Sequence, residues 1–170
     1  LGKPANPREI VTMVRHLEEG LDAGAFGYST GLEYDAERAS PEEETAALCR
    51  VVARANGLYA THTRNKEVRA VEAVEEGLRV AKASGVRIQV SHIIPRRGGP
   101  ANALDQAMAT VESARARGID AAFDAHTRLH GITNLSAALP ADALLGGPDQ
   151  VQARLNDPAF RDKMRGYESL

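Results

Sequence analysis

The sequence is poor in the features that mark proteins binding nucleic acids or crossing membranes. Its 170 residues include no Trp, the aromatic fraction is 4%, and 21 Lys and Arg face 23 Asp and Glu, for a net charge of -2. Nucleic-acid-binding domains usually carry a strongly basic face and aromatic platforms for bases. No apolar run reaches the roughly 18 residues of a membrane-spanning segment. We therefore expect neither a nucleic-acid partner nor a membrane span.

Cysteine is equally scarce, with Cys49 as its single instance. One cysteine excludes an internal disulfide and favours a cytoplasmic location. Cys49 falls within a helical pattern among apolar neighbours, where we expect it to be buried as a small hydrophobic residue. The chain begins at Leu1 rather than Met and ends at Leu170 directly after a helical pattern, so we expect both ends to be cut from a longer protein.

What the sequence does contain is the composition and the repeat of an ordinary α/β domain. Hydrophobic residues make up 43% and charged residues 26% of the chain, which is typical of a soluble domain with its own core. Short apolar runs centred near positions 27, 60, 90 and 122 alternate with amphipathic helical patterns. This repeat predicts four β-α units with right-handed connections. Periodicity alone leaves open whether they form half of an eight-stranded barrel or an open doubly wound sheet.

Capping residues predict where the helices begin. Asn6, Pro7 and Glu9 predict one capped start, and residues 40–43 (SPEE) predict a second. Further predicted elements are a helix from about Glu67, a helix with Leu104, Met108, Val111 and Ala114 on its apolar face, a fourth strand over residues 119–126, and short helices starting at Pro148 and Pro158.

Two histidines stand at the same position of adjacent β-α units. His62 ends the run from Leu58, and His92 ends the run from Arg87. Because the carboxyl ends of neighbouring parallel strands share one edge of a sheet, where α/β proteins place their active sites, we expect the two rings to converge. A single histidine is more often a structural residue. The repeated position favours a metal or catalytic role. Zinc binds imidazole or carboxylate ligands and needs about three protein ligands in a catalytic site.

The remaining histidines are weaker candidates. His126, at the predicted end of the fourth strand, is a candidate to join the pair. His126 and His130 have the spacing of metal ligands on a helix, but the segment follows a strand and precedes Gly131, which disfavours a helical pair. His16 falls in the first predicted helix and is expected to face solvent.

Arg64 and Tyr34 follow predicted strands at the same edge. The planar guanidinium of Arg64 suits a substrate carboxylate, and a salt bridge to Glu67 is the structural alternative. Tyr34 is placed either to offer its hydroxyl to a polarised carbonyl or to pack its ring.

Residues 27–31 (GYSTG) match the G-x-S-x-G motif of serine hydrolases, with Ser29 as the nucleophile. That motif exposes its serine on a sharp turn between a strand and a helix that starts at once. The next helix start is predicted only near Ser40, which disfavours this alternative chemistry.

Three stretches taken together resemble the D-aminoacylase group (N-acyl-D-amino-acid deacylases) of the amidohydrolase superfamily. They are residues 24–34 (GAFGYSTGLEY), 59–64 (YATHTR) and 89–92 (QVSH), and residues 138–140 (ALP) with 146–147 (GG) and 154–155 (RL) are similar to the segment that follows in that family. The resemblance runs in order over nearly the whole chain.

The resemblance implies a zinc-dependent hydrolase of linear amides on a distorted (β/α)8 barrel. It implies that His62 and His92 are zinc ligands and that Tyr34 and Arg64 occupy substrate-binding positions. The substrate implied is a small N-acyl amino acid.

The chain also departs from the family pattern. A lysine commonly follows the second histidine by two positions, where this chain has Ile94, and a tyrosine-rich stretch is replaced by residues 126–132. The resemblance implies that His126 and Arg128 touch the acyl or carboxylate end of the substrate. The family's early His-x-His pair and late catalytic aspartate have no match, since Asp124 stands on the wrong strand.

On this resemblance, residues 1–140 are a partial amidohydrolase barrel of about four β-α units, and residues 141–170 begin a helical insertion or lead to the rest of the barrel. We expect the acid-base aspartate to lie outside the chain, and these residues alone to bind zinc weakly and to lack deacylase activity. The outer strands of a cut barrel lack their neighbours, and unpaired strand edges recruit other chains, so we expect self-association. A non-catalytic half-barrel is the remaining alternative.

Overall fold

A computed structural model describes residues 3–34, 37–96, 98–127 and 139–166 of the chain. Its centre is a sheet of four parallel strands in the order β1-β2-β3-β4. The strands are β1 (Gly27–Gly31), β2 (Leu58–His62), β3 (Arg87–Val90) and β4 (Ala121–Phe123), and the α-helices are α1 (Pro7–Asp22), α2 (Glu42–Arg54), α3 (Ala70–Ser84), α4 (Ala103–Ala116), α5 (Pro148–Asn156) and α6 (Pro158–Met164). None of these described helices is both long and apolar enough to cross a bilayer.

The connecting helices lie side by side along the sheet. α1 packs against α2, α2 against α3, and α3 against α4. Strands that follow one another in the chain are also neighbours in the sheet, so the order does not reverse as it does in a doubly wound sheet. The four predicted β-α units are confirmed, and their single direction of winding is that of a barrel segment.

The main core lies between the sheet and this row of helices. Tyr59, Ile88 and Val90 on the strands are at most 1% exposed and pack in one cluster with Val52 of α2 and Val111 of α4. Alternate residues of a strand point to the same face, so these side chains define the helix-covered face of the sheet.

Small and polar side chains line the opposite face. The strand register pairs Ser29 with Ala60, Ala60 with Gln89, and Gln89 with Ala122, which makes one row across all four strands. Ser29 and Ala122 are exposed, whereas Ala60 and Gln89 are half-buried. In a (β/α)8 barrel the face away from the helices lines the interior. The row has the position of such a lining.

The start of α2 differs from the sequence prediction. The predicted capping box at residues 40–43 is wrong, because Pro41 is the N-cap residue and no side chain caps the helix. Glu44, at the third helical position, accepts a hydrogen bond from the backbone N–H of Ala5 at 2.7 Å. That carboxylate therefore fastens the segment before α1 rather than the start of its own helix.

The start of α3 also differs, since the helix begins at Ala70 rather than near Glu67. The side-chain oxygen of Asn65 accepts hydrogen bonds from the backbone N–H groups of Glu67 and Arg69, each at 2.9 Å. An Asn side chain that bonds to the backbone in this way stabilises a turn in place of a helix.

α4 and β4 were predicted imperfectly. The expected contribution of Leu104 and Met108 to the core is wrong, because these side chains are 36% and 37% exposed. β4 is also shorter than the predicted strand over 119–126. The residues of α4 that face the core, each at most 1% exposed, are Ala103, Ala107, Val111 and Ala114. Their spacing is that of one helical stripe, and its small alanines give α4 a narrow contact surface.

The two short helices after residue 139 begin at Pro148 and Pro158, as predicted. Neither contains a buried residue. Arg154 of α5 donates to the backbone oxygens of Asp142 and Ala143 at 2.9 and 3.0 Å, which joins α5 to a short 3-10 helix. The division of the chain at residues 140 and 141 stays a prediction.

Gly27 is required by the close pairing of β1 with β2. A Cβ atom at this position would lie 1.8 Å from the backbone oxygen of Leu58. We expect Gly27→Ala to push the strands apart and to lower the free energy of unfolding by roughly 2–4 kcal/mol. Gly20 in α1 is the matched control, since nothing lies within 4 Å of its Cβ position, and Gly20→Ala should raise stability by about 0.5–1 kcal/mol. Urea unfolding measures both, and equal effects would contradict the close approach.

Cys49 is fully buried on α2, as predicted. Burial raises the pKa of its thiol from 9.0 to about 12. Because only the thiolate is nucleophilic, we expect iodoacetamide at pH 8 to alkylate the native protein at least about 100-fold more slowly than the urea-unfolded protein. The thiol loses its proton at a lower pH in the unfolded chain than in the folded protein. This group therefore lowers the free energy of unfolding as the pH rises from about 9 to about 12. Equal alkylation rates would show that the thiol is accessible.

Candidate active site

The two predicted histidine rings meet at the C-terminal edge of the sheet. His62 is the last residue of β2, and His92 lies just beyond β3. His62 Nδ1 is 2.6 Å from His92 Nε2, and the ring centroids are 4.7 Å apart. The predicted convergence is confirmed, and the role of the pair in binding a metal stays a prediction.

A left-handed backbone conformation follows β3 at His92. The φ angle of His92 is 39°, a value that residues other than glycine adopt infrequently. Its backbone N–H donates to Asp124 Oδ1 at 2.6 Å, and Gln89 Nε2 donates to Asp124 Oδ2 at 2.8 Å. Asp124, directly after β4, therefore holds the turn that carries His92.

His126 and Tyr34 extend the ring cluster on either side. The His126 ring stacks on His92 and the Tyr34 ring lies beside His62, each with centroids 4.9 Å apart. A Cβ atom at Gly31 would lie 2.5 Å from Tyr34 Cδ2, so glycine at the end of β1 leaves space for this ring. Tyr34 is 52% exposed and His126 is exposed. Both side chains lie at the predicted edge, and their contact with a substrate stays a prediction.

Glu33 and Arg96, which the sequence analysis missed, adjoin His62. Glu33 Oε2 lies 2.6 Å from His62 Nε2, the ring nitrogen other than the one facing His92. Arg96 donates to both oxygens of Glu33, at 2.7 and 2.8 Å. Burial would raise the pKa of Glu33, but the hydrogen bond with His62 and the charge of Arg96 hold it below its ordinary value. A carboxylate two residues after the first strand, at the edge shared with the histidines, was the available signal in the sequence.

Lys66 is another residue that the sequence analysis missed. It is 4% exposed, and its Nζ donates to the backbone oxygens of His92 and Ser91 at 2.7 and 3.2 Å. Burial lowers the pKa of Lys66 to about 8. Burial also lowers the pKa of His92 to about 4, and the charge of Lys66 acts in the same direction. At pH 7 the His92 imidazole is therefore neutral, which is the form that binds a metal ion.

The described residues fit part of a zinc site. Within residues 3–34, 37–96, 98–127 and 139–166, no group of three or more His, Cys, Asp or Glu side chains is arranged to hold a metal ion. His62 Nδ1 and His92 Nε2 suit two ligand positions, because both are imidazole nitrogens and they face each other at the edge of the sheet. Two nitrogens on one tetrahedral zinc lie roughly 3.3 Å apart, so the 2.6 Å separation has to widen by a small rotation of the rings.

Arg64 is held by the protein itself. Its Nε and Nη2 donate to the Glu76 carboxylate at 3.0 and 2.7 Å, Nη2 donates to the Ser40 backbone oxygen at 2.7 Å, and Nη1 donates to that of Arg38. The alternative salt bridge to Glu67 is wrong, because the carboxylate that pairs with Arg64 is that of Glu76 on α3. A contact between Arg64 and a substrate stays a prediction.

The other candidate residues lie elsewhere. Arg128 and His130 fall outside the described residues. Ser29 is exposed in the middle of β1, and the next described helix begins only at Glu42, so the strand-turn-helix geometry of a nucleophile elbow does not form in the described chain. The side chain of His16 is 62% exposed, as predicted.

The contacts of Arg64 should support stability. Arg64→Met leaves the Glu76 carboxylate, which is only 12% exposed, without this partner, and we expect a loss of roughly 2–3 kcal/mol in the free energy of unfolding. Arg79→Met is the matched control. It removes a similar two-pronged contact with Glu42, but those side chains are 54% and 39% exposed, so the loss should stay below about 1 kcal/mol. Thermal unfolding compares the variants, and an equal or larger loss for Arg79→Met would contradict the structural role of Arg64.

No protein-family model matches the chain. Among curated proteins it is similar to the N-acyl-D-glutamate deacylase of Alcaligenes xylosoxydans xylosoxydans, with 35% identity over 120 residues, which are 69% of this chain and 24% of that protein. The D-aminoacylase of the same organism is 31% identical over 135 residues, or 79% of this chain and 28% of that protein. The chain thus spans about a quarter of the length of these curated relatives.

Solved structures show the same relationship. The crystal structure of a D-aminoacylase that defines a subset of amidohydrolases matches with a TM-score of 0.69 and 30% identity, over 76% of this chain and 27% of that chain. The N-acyl-D-glutamate deacylase of Bordetella bronchiseptica, solved with zinc and a phosphonate mimic of the tetrahedral intermediate, matches with a TM-score of 0.68 and 29% identity, over 74% of this chain and 26% of that chain. These neighbours are amidohydrolases with the (β/α)8 barrel, so the predicted partial barrel is confirmed. Over about three quarters of its length, the chain is therefore a relative of the D-aminoacylases and N-acyl-D-glutamate deacylases of the amidohydrolase superfamily.

Proposed function

We propose that this chain is part of a zinc-dependent hydrolase that removes the acyl group from N-acyl-D-amino acids. The observation that carries the proposal is the 2.6 Å approach of His62 Nδ1 to His92 Nε2 at the C-terminal edge of the sheet. It lies within a stretch that is similar to deacylases of this class. The partner in this proposal is a small molecule with an amide bond and a carboxylate.

His62 and His92 would hold one zinc ion through the two nitrogens that face each other. The chemistry that zinc supplies in hydrolases is polarisation of a carbonyl group and activation of water near neutral pH. The chain covers 24% of the length of the N-acyl-D-glutamate deacylase. We therefore propose that the other ligands and the acid-base aspartate are contributed by residues outside these 170.

The neighbouring side chains would bind and orient the substrate. The Tyr34 ring lies beside His62 and is 52% exposed, so its hydroxyl is available to donate to the amide carbonyl. His126 stacks on His92, and we propose that His126 and Arg128 meet the acyl or carboxylate end. Arg64, held by Glu76 and by the backbone of the loop before α2, would present its remaining surface to the substrate.

Two further parts of the sequence prediction stay predictions. The scarcity of cysteine favours a cytoplasmic location. β1 and β4 are the outer strands of the described sheet, and such outer strands are the surfaces through which the predicted self-association would occur.

Zinc binding by the chain tests the histidine pair directly. We expect zinc to bind weakly to the 170-residue protein in a competition assay with a chromogenic chelator. His62→Ala should lower the affinity at least about tenfold because it removes one ligand. His16→Ala is the control, since His16 is exposed on α1, and it should leave the affinity unchanged. Equal affinities of the two variants would contradict the proposed ligands.

The same preparation tests catalysis. We expect no release of free amino acid from N-acetyl-D-amino acids, because losing acid-base catalysis alone costs a factor of roughly 10² to 10⁴ in rate. Turnover by the 170 residues that disappears in His62→Ala would show that the missing parts are dispensable.

In a longer protein that contains these residues and is active, a chelator should abolish the activity and Ser29→Ala should not. The reverse result would favour a serine hydrolase.

A further inference from the structure

Glu33, His62 and His92 contact one another in succession at the edge of the sheet. Glu33 Oε2 is 2.6 Å from His62 Nε2, and His62 Nδ1 is 2.6 Å from His92 Nε2. The two ring nitrogens of His62 thus have different neighbours: a carboxylate on one side, and the second histidine on the other.

Arg96 fixes the position of the carboxylate. Its two terminal nitrogens donate to the two oxygens of Glu33 at 2.7 and 2.8 Å. This planar, two-pronged contact sets both the position and the rotation of the carboxylate. The Glu33, His62 and Arg96 side chains are 19%, 12% and 23% exposed, so the three groups are largely shielded from competing water.

The contact links loops that are far apart in sequence. Glu33 follows β1, His62 ends β2, and Arg96 lies beyond β3, 63 positions after Glu33. The backbone N–H of Arg96 donates to the backbone oxygen of Lys66 at 2.5 Å, so the loop that carries Arg96 is anchored to the segment after β2. Arg96 therefore reaches the Glu33 carboxylate from the far side of β2, the strand that ends at His62.

We propose that Glu33, held by Arg96, is a positioning residue that keeps the His62 proton on Nε2 and leaves the Nδ1 lone pair directed at the site beside His92. An ionised carboxylate only accepts hydrogen bonds, and a neutral imidazole has one N–H, so the Glu33 contact selects this tautomer. Histidine ligands of metals are commonly oriented in this way by a carboxylate on the other ring nitrogen. The part of the inference that concerns zinc rests on the proposed function, whereas the tautomer does not.

Glu33 itself is not arranged as a ligand for the same ion. It lies against Nε2 of His62, on the opposite side of the ring from His92, and both of its oxygens accept hydrogen bonds from Arg96. Its effect on the site is therefore exerted through His62.

The tautomer is measurable in the metal-free protein. Long-range ¹H–¹⁵N correlation spectra of the ¹⁵N-histidine-labelled chain at pH 8 distinguish a protonated from an unprotonated ring nitrogen. We expect His62 to carry its proton on Nε2 in the wild type and to show a mixture of tautomers in Glu33→Gln and in Arg96→Gln. Arg96→Lys, which keeps the charge but not the two-pronged geometry, should lie between them. An Nε2–H tautomer that is unchanged in both Glu33→Gln and Arg96→Gln would overturn the inference.

Glu37→Gln is the matched control. Glu37 lies in the same loop and accepts a hydrogen bond from the backbone N–H of Gly31 at 2.7 Å, so the substitution removes the same charge at a position bonded to the backbone. We expect it to leave the His62 spectrum unchanged. A shift of the tautomer in Glu37→Gln equal to that in Glu33→Gln would mean that general disturbance of the loop is responsible, and would overturn the specific role of Glu33.

Zinc affinity separates this inference from the proposed function. We expect Glu33→Gln to weaken zinc binding roughly 10-fold to 100-fold and Glu37→Gln to change it by less than about twofold. A tautomer shift in Glu33→Gln together with equal zinc affinity of wild type and His62→Ala would support the positioning role and contradict the proposed zinc site. An unchanged tautomer together with loss of affinity in His62→Ala would contradict the positioning role and support the zinc site.

Discussion

The in-register pairing of β2 with β3 is the constraint on which the candidate site depends. Thr61 pairs with Val90, and the backbone N–H of Ser91 donates to the backbone oxygen of Thr61 at 3.0 Å. The strands therefore end together, and the residues that follow them emerge at one edge. A shift of the register by one residue would move the side chains of β3 to the other face. His92 then needs only the left-handed turn held by Asp124 to bring its ring against His62.

Three cationic side chains near the histidine pair are held in two different ways. Arg64 and Arg96 are paired with the carboxylates of Glu76 and Glu33, and each arginine donates to both oxygens of its partner. Lys66 is buried against backbone oxygens. Burial lowers the pKa of His92, and the nearby charge of Lys66 lowers it further. A neutral His92 imidazole is suited to a divalent cation, because the ring carries no positive charge that would repel the ion.

The two faces of the sheet differ in composition, which explains why the core forms on only one of them. The face toward the helices holds large apolar residues such as Tyr59 and Ile88, whereas the row from Ser29 to Ala122 offers small or polar side chains that contribute little apolar area. The described core therefore lies on the helix-covered face of the sheet. The opposite face has the position of a barrel lining.

The sequence by itself determined the β-α repeat, the approximate strand centres and the meeting of His62 with His92, because apolar runs and helical periodicity are local properties of the chain. The resemblance of three short stretches added the barrel and the class of enzyme. Only the tertiary structure decided which side of α4 faces the core and which partner Arg64 takes. It also brought Glu33 and Arg96 together across 63 positions. Contacts of this kind depend on how loops cross the ends of strands, and no periodicity in the sequence records that path.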